Sequence, residues 1–339
     1  MSSPDFGAPA RTQPRASVLI LTYNHERFIA QAIESALMQK TDFEYEIVIG
    51  EDCSTDSTRA IVRDYANRYP DKVRPLLHER NLGGSENFDR TLAECRGEFV
   101  AMLEGDDYWI SNAKLQTQVD FMDQYADCAI CFHSVHVKGE GGATSPLPEI
   151  FPPLTQPQWS TAEDLLSHNF IDTAAVLFRR RLMPERPRWI AKLEPGDWAM
   201  WILLGQYGKI GYLPQILAVY RVHFEGMWST KSEKWAKGPV TMFEALAEHL
   251  LPKYRPLIQR RLAPYRLHLV ASHAERGELD SARKMLRKMI RNGGWQGIEP
   301  RRALLKLLVD LYVPSLRNIS RLFTRLFRFV RARLSRIRI

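Results

Sequence analysis

The sequence predicts an α/β layered fold, a mostly parallel sheet flanked by helices, with a helical extension at the C-terminal end. Three observations predict it. Short apolar runs alternate with segments of helical period through the first third of the chain. Two of those runs end in clustered carboxylates. Beyond about residue 240 the strand pattern stops and helical periodicity takes over. Alternation at this spacing requires crossover helices between parallel strands. Ligands of such sheets bind beyond the C-terminal strand ends.

The elements follow in order. Ser17 to Thr22 (SVLILT) is the first buried strand, and Tyr23-Asn24-His25 turns the chain. Phe28, Ile29, Ala32, Ile33, Ala36 and Leu37 share one face of the next helix. Tyr45 to Gly50 (YEIVIG) is the second strand, and Ser54, Thr55 and Asp56 offer N-caps for a helix through Tyr69. Val73 to His78 is a weaker third strand. Asn81-Leu82-Gly83-Gly84 is a loop, and Ser85 caps a helix to Cys95. Glu98 to Leu103 (EFVAML) is the fourth strand, leading into Glu104-Gly105-Asp106-Asp107. A helix from Asn112 to Tyr125 and a strand from Ala129 to Val137 follow. Residues 138–160 are rich in Gly and Pro and read as a long surface loop. Thr173 to Phe178 is read as a strand, Gly196 to Tyr207 as a helix and Gln215 to Arg221 as a strand. Residues 241–293 read as two or three helices with a hairpin at Gly277.

Composition excludes several classes. The 339 residues are 45 % apolar and 25 % charged, globular values that need no disulfide or zinc staple. The four cysteines lack framework spacing, and Cys128 and Cys131 sit in an apolar run as buried strand thiols. No stretch approaches the ~18 apolar residues of a membrane span. Residues 1–15 lack the apolar core of a secretory signal and read as a polar lead-in. A cytoplasmic location is expected, with peripheral attachment at the inner face of the plasma membrane as its variant. The net charge of +8 is localised: residues 301–339 hold 11 Lys/Arg and one acid, Asp310, which leaves the remaining chain at −2.

The carboxylates carry the chemistry. Acids packed as tightly as Glu104, Asp106 and Asp107 repel one another unless a cation neutralises them. At a strand end beside a glycine, Mg²⁺ or Mn²⁺ shared with substrate phosphates is the economical cation. The alternative is a solvated acidic turn that caps the next helix. Glu51-Asp52, at the neighbouring strand end, is placed either to accept from a nucleobase imide or a ribose or to cap the following helix.

The segments SVLILTYNHERFIAQAIESALMQ, YEIVIGEDCSTDST and RNLGGSENFDRTLAECRGEFVAMLEGDDYW together resemble glycosyltransferase family 2, and the likeness extends over about residues 16–225. The resemblance implies the GT-A (Rossmann-like) fold. It also implies inverting transfer from a nucleotide-diphosphate sugar, usually uridine-linked, with a divalent metal. It places Thr22, Tyr23, Asn24, Glu51, Asp52, Asn81, Glu104, Asp106 and Arg221 at the donor, with Tyr23 near the base and Asp52 on the uracil imide. It assigns the metal to Asp106, Asp107 and His223, although the first acid of the family's D-x-D motif is here Glu104. Inversion needs a carboxylate to deprotonate the acceptor. That base is expected at Asp197, with Glu194 next and a simple helix-start acid as the alternative reading of Asp197. The implied domains are 16–137 for the nucleotide sugar, 138–235 for the acceptor, a helical region at 236–313 and a basic helix at 314–339.

In that last segment Ile319, Leu322, Phe323, Leu326, Val330, Leu334 and Ile337 share one helical face. Arg317, Arg321, Arg325 and Arg328 occupy the other, and Arg333 interrupts the stripe. This is the pattern of an interfacial helix on an anionic membrane, or of a helix packed on its own domain with a solvated face. The expected function is sugar transfer to a glycan or lipid-linked acceptor in surface polysaccharide synthesis. A nucleotidyltransferase would carry a glycine-bearing phosphate loop after the first strand, where this chain has TYNHERF. A non-enzymatic polyanion binder would not place acids at strand ends, and nucleic acid is not an expected partner.

Overall fold

A computed structural model describes residues 13–145, 147–183, 185–193, 196–224, 226, 234–291, 307–308 and 311–312. The chain divides into two compact units, Met1–Lys231 and Ser232–Ile339.

The first unit opens with β1 (Ala16–Thr22), α1 (Ile29–Leu37), β2 (Tyr45–Glu51), α2 (Thr58–Arg68), β3 (Val73–Leu77), α3 (Gly84–Glu94) and β4 (Phe99–Glu104). It continues with β5 (Tyr108–Trp109), α4 (Lys114–Gln124), β6 (Cys128–Gly139), β7 (Ile150–Phe151), β8 (Trp159–Ser160) and α5 (Ala162–Ser167). It ends with β9 (Leu177–Arg179), α6 (Gly196–Leu204) and β10 (Lys209–Val222). Among the described residues these strands form one sheet in the order β3-β2-β1-β4-β9-β6-β10-β5, with β7 on β6 and β8 on β10. β1 pairs in parallel with β2 and β4, and β2 with β3.

The continuous apolar runs have a direct cause. β2 is buried over its whole length, because helices cover both faces of a parallel sheet. Full burial of Ile47, Val48 and Ile49 stabilises by about 1.5–3 kcal/mol each. α1 buries Ile29, Ala32, Ile33 and Ala36, the stripe its periodicity marks. α3 approaches β2 closely over Gly50, where a Cβ would lie 2.1 Å from Thr91 Oγ1, and Asn87 Nδ2 donates to Gly50 O at 2.9 Å.

Several elements differ from the sequence reading. α3 begins at Gly84 behind Gly83, whose φ is +81°, so Ser85 lies inside the helix and does not cap it. α2 begins at Thr58. Ser54 and Thr55 are drawn off to bond Asn24, while Asp56 Oδ1 accepts from Thr58 N at 2.9 Å. The strand expected over Thr173–Phe178 splits into a 3₁₀ turn, Thr173–Ala175, and the short β9. Asp172 Oδ1 accepts from Ala174 N at 3.0 Å, a local bond that competes with the strand ladder. β9 then enters antiparallel between β4 and β6. The loop at 138–160 contains β7 and β8, and the last strand is longer than expected.

Cys128 and Cys131 are buried free thiols on β6. Beside them Lys114 and Gln118, one helical turn apart on α4, are sealed with His133 of β6. Lys114 Nζ sits 3.9 Å from the Trp109 ring centroid, and burial drives its pKa far down. Gln118 Nε2 donates to Ala175 O at 2.9 Å and Trp109 Nε1 to Ala174 O at 3.0 Å, so this layer supports the 3₁₀ turn from below.

The second unit contains α7 (Lys234–His249), α8 (Arg255–Glu275) and α9 (Leu279–Arg291). α8 and α9 reverse at Gly277, whose φ is +82°. Val270, Ala274, Ala282, Leu286 and Met289 pack with Leu307 and Leu311. The basic segment 314–339 lies outside the described residues. No described helix is long and apolar enough to cross a membrane.

Candidate active site

The sheet register sets the site. Thr22 lies opposite Glu51, and Leu21 opposite Glu104, so the predicted clusters share one edge. Asn24 and Cys53 both adopt left-handed φ, +54° and +58°, and turn the loops after β1 and β2 toward each other. The loops are tied together: Asn24 Oδ1 accepts from Thr55 N at 2.8 Å, and Asn24 N donates to Ser54 Oγ at 3.0 Å.

Glu51 is completely buried. Its Oε1 accepts from Ser54 N at 2.6 Å, and its Oε2 lies 3.4 Å from Arg59 Nη1. Glu51, expected at the donor, thus has no exposed surface and bonds the loop that follows β2. Asp52 Oδ1 accepts from Leu82 N at 2.7 Å and Oδ2 from Gly83 N at 2.9 Å. Asn81 Nδ2 reaches Asp52 O at 3.3 Å. Asp52 thus anchors the 81–83 loop, and each oxygen retains a second lone pair. Tyr23 is 42 % exposed at this edge, and the Thr22 hydroxyl is buried without a hydrogen-bond partner.

β5 pairs with β10 and carries the Glu104–Asp107 turn to the strand end that leads into His223. Asp106 Oδ2 meets His223 Nε2 at 3.0 Å and His25 Nε2 at 3.8 Å. Burial opposes ionisation of Asp106, yet the His223 hydrogen bond and the His25 and His223 charges hold its pKa below the usual range.

Asp107, expected as a metal ligand, is turned into the protein. It is 2 % exposed, and its Oδ1 accepts from Arg221 N at 2.8 Å. Burial first, then Asp106 and Asp172, raise its pKa well above the usual value. Arg221, expected at the donor phosphates, is also turned inward. It lies over the Tyr108 ring at 4.3 Å and the Phe28 ring at 5.1 Å and donates to Asp106 O and the Gln31 side chain. Its guanidinium supports the backbone that presents Asp106.

Glu104 is pushed up to about 8 by burial, then by Asp106, Asp197 and Asp172. Of the last two, the sequence marks Asp197 and not Asp172. Asp197, at the start of α6, is raised by burial, and its Oδ2 lies 3.5 Å from Thr173 Oγ1. Asp172 is pushed up to about 7 by burial and then by Asp197 and Asp106. Its only sequence signal is an acid just before a short apolar run. In the sequence His25 belongs to a turn, and only tertiary contacts reveal it and Gln31. Glu194 lies outside the described residues.

Two ligands cis on an octahedral ion at about 2.1 Å stand about 3.0 Å apart, which is the Asp106–His223 separation. Among the described residues no three His, Cys, Asp or Glu side chains form a ready-made cage. An ion held here would need the rest of its shell from ligand oxygens and water.

Residues 17–183 match the family described as Glycosyl transferase family 2. The chain is similar to this family over that stretch, just under half of its length. An uncharacterized protein of Mycobacterium tuberculosis is 39 % identical over 212 residues, 62 % of this chain. The match spans only 60 % of that relative's length. The putative teichuronic acid biosynthesis glycosyltransferase TuaG of Bacillus subtilis is 28 % identical over 232 residues, covering 68 % of this chain and 87 % of TuaG. The fold matches Staphylococcus aureus TarS 1–349, solved in complex with UDP-GlcNAc, with a TM-score of 0.55 at 20 % identity over 74 % of this chain and 71 % of that one. The chain thus has the GT-A-like sheet and helices, with additional helices at its C-terminal end.

Proposed function

We propose that this protein, as a family 2 glycosyltransferase, transfers a sugar, with inversion, from a nucleotide-diphosphate sugar to a glycan or lipid-linked acceptor in surface polysaccharide synthesis. The observation that carries the reading is the convergence, on one sheet edge, of the Asp106–His223 pair with Glu104 and Asp197. Tyr23 and Asp52 lie at the ends of the neighbouring strands, where a nucleotide would sit. A divalent cation held by Asp106 and His223 would neutralise the departing diphosphate. Glu104, whose pKa burial and the neighbouring carboxylates raise, is placed to hydrogen-bond a ribose or phosphate oxygen. Asp197 takes the proton from the acceptor hydroxyl, with Thr173 orienting it. Asp107 and Arg221 hold the turn. The names of TuaG and TarS support a cell-wall glycan and a uridine-linked donor. Incubation with a panel of nucleotide sugars and product mass analysis tests the reading, and release of no sugar from any donor would refute it.

Asp52 offers a second test. Asp52→Ala releases Leu82 N and Gly83 N and removes the acceptor proposed for the uracil imide. Affinity for uridine diphosphate is expected to fall by about 1–3 kcal/mol, the range for hydrogen bonds to a charged group. Titration by thermal shift with uridine and guanosine diphosphates checks this. A wild-type preference for guanosine diphosphate would overturn the uridine assignment.

Attachment to an anionic membrane through residues 314–339 remains part of the proposal, on the strength of their charge and apolar stripe. Each Arg near an anionic surface contributes about 1 kcal/mol. Deletion of residues 315–339 is expected to release the protein from acidic vesicles in a salt-sensitive manner and to leave transfer to a soluble acceptor intact. A full-length protein that ignores acidic vesicles would end this part of the proposal.

A further inference from the structure

A sealed polar layer lies against Trp109, behind the acidic turn. Lys114, Gln118 and His133 in this layer are completely buried. Lys114 and Gln118 stand one turn apart on α4, and Cys131 and His133 stand two residues apart on β6. Each pair therefore shares one face of its element. Among the described residues, three polar atoms of this layer have no hydrogen-bond partner: Lys114 Nζ, Gln118 Oε1 and His133 Nε2. We propose that these three atoms bind one internal water molecule, and that the layer it closes makes Gln118 a positioning residue for Asp197.

The neighbours fix the hydrogen-bonding role of each atom. Gln118 Nε2 donates to Cys131 O at 3.1 Å and to Ala175 O at 2.9 Å. Both partners are carbonyls, so the amide orientation is set and the remaining atom, Oε1, is an acceptor. His133 Nδ1 lies 2.8 Å from Ser134 O, which only accepts, so the ring proton is on Nδ1. Burial, then the Lys114 charge, holds the His133 pKa down at about 3, and Nε2 of the neutral ring is a bare acceptor. Lys114 Nζ is the donor of the three. The Cys131 sulfur is already engaged, 3.9 Å from Gln118 Nε2. One water molecule matches this set. It donates to Gln118 Oε1 and to His133 Nε2 and accepts from Lys114 Nζ, the complement of about three bonds that buried waters make to polar groups otherwise left unsatisfied.

The layer bears on the reaction through Gln118. Its bond to Ala175 O, with that of Trp109 Nε1 to Ala174 O at 3.0 Å, holds the 3₁₀ turn Thr173–Ala175. Thr173 Oγ1 of that turn meets Asp197 Oδ2 at 3.5 Å. A water on Oε1 holds the Gln118 amide from its other end, so a fully satisfied network keeps the turn in one place. Misplacement of a reacting group by about an ångström costs about 10²-fold in rate. The positioning role rests on the reading of Asp197 as the base in nucleotide-sugar transfer. The water site stands on its own geometry.

The test joins a crystal structure of the full chain, at a resolution that shows ordered water, to kinetics. One water is expected within about 2.7–3.2 Å of Lys114 Nζ, Gln118 Oε1 and His133 Nε2. No density among the three atoms, or Lys114 Nζ bonded directly to either acceptor, overturns the water site. For the positioning role, Gln118→Met is expected to cut kcat about tenfold or more, with the donor that product mass identifies, and to leave uridine diphosphate affinity near the wild-type value. Thr173→Val is expected to lower kcat as well, and the double variant to fall no further than the lower single one. An unchanged kcat in Gln118→Met, losses that multiply in the double variant, or uridine diphosphate affinity that falls in step with kcat overturns the role. If Gln118→Met fails to fold, Thr173→Val decides it: an unchanged kcat breaks the link to Asp197. A wild type that transfers no sugar from any donor overturns the nucleotide-sugar reading and the positioning role together, while the crystal structure still decides the water site.

Discussion

Asp106→Asn is expected to abolish sugar transfer while the protein keeps its fold. Asp106 is the carboxylate of the turn whose pKa is held down: His223 donates to it, and the charges of His25 and His223 act against the pull of burial. Asparagine is of similar size but carries no charge to set against a diphosphate-bound cation. Loss of electrostatic stabilisation of this kind costs about 10²–10³-fold or more in turnover. Chelation of the wild type is expected to mimic the substitution, and the two together to do no more than either alone. Turnover of the purified variant under saturating donor, with a melting curve as control, is the measurement. Undiminished activity sinks the assignment of Asp106.

Asp197→Asn should leave donor affinity near the wild-type value and cut turnover by about 10²–10⁴-fold, the range for general-base catalysis. The pH profile supplies the sign. Burial raises the pKa of Asp197 above that of an ordinary aspartate. A raised pKa keeps the proton on to higher pH, so the inactive, protonated form persists above the usual carboxylate range. The wild-type rate should therefore climb with pH along an acid limb displaced upward, and the limb should vanish in Asp197→Asn. If donor affinity collapses in the variant, Asp197 binds substrate and Glu194 is the next residue to substitute.

These two residues were legible in the sequence for different reasons. Asp106 stands in a run of acids directly after an apolar strand, and the sheet rule places that run at a ligand-binding edge. Asp197 was marked only through the family resemblance, because one acid at the start of an apolar helix has an ordinary use there. Asp107 shows the limit of spacing. It is adjacent to Asp106 and chemically equivalent, yet it is buried against the backbone of a residue 114 positions away. Arg221 carries the same lesson. An arginine at a strand end suits a phosphate, but here Phe28, Tyr108 and Gln31 enclose it, and they come from other elements. In the sequence His25 is a turn residue, because its neighbour Asp106 lies 81 residues further along the chain.

What the sequence determined by itself is the layered architecture and the edge that holds the site. Apolar runs such as YEIVIG are stable only when buried on both faces, and the helical stripe of α1 has one buried side. Those are local patterns with local causes. Which carboxylate faces the cleft, which is sealed, and where β9 enters the sheet were decided by the tertiary structure alone. A single hydrogen bond from Arg221 N separates Asp107 from Asp106. One from Ala174 N to Asp172 turns half of an expected strand into a 3₁₀ turn that brings Thr173 to Asp197. In both cases the carboxylate side chain sits in low-dielectric surroundings, where each unpaired polar group is costly. The partner that satisfies it sets its orientation, and in the case of Asp107 that partner is distant in the chain.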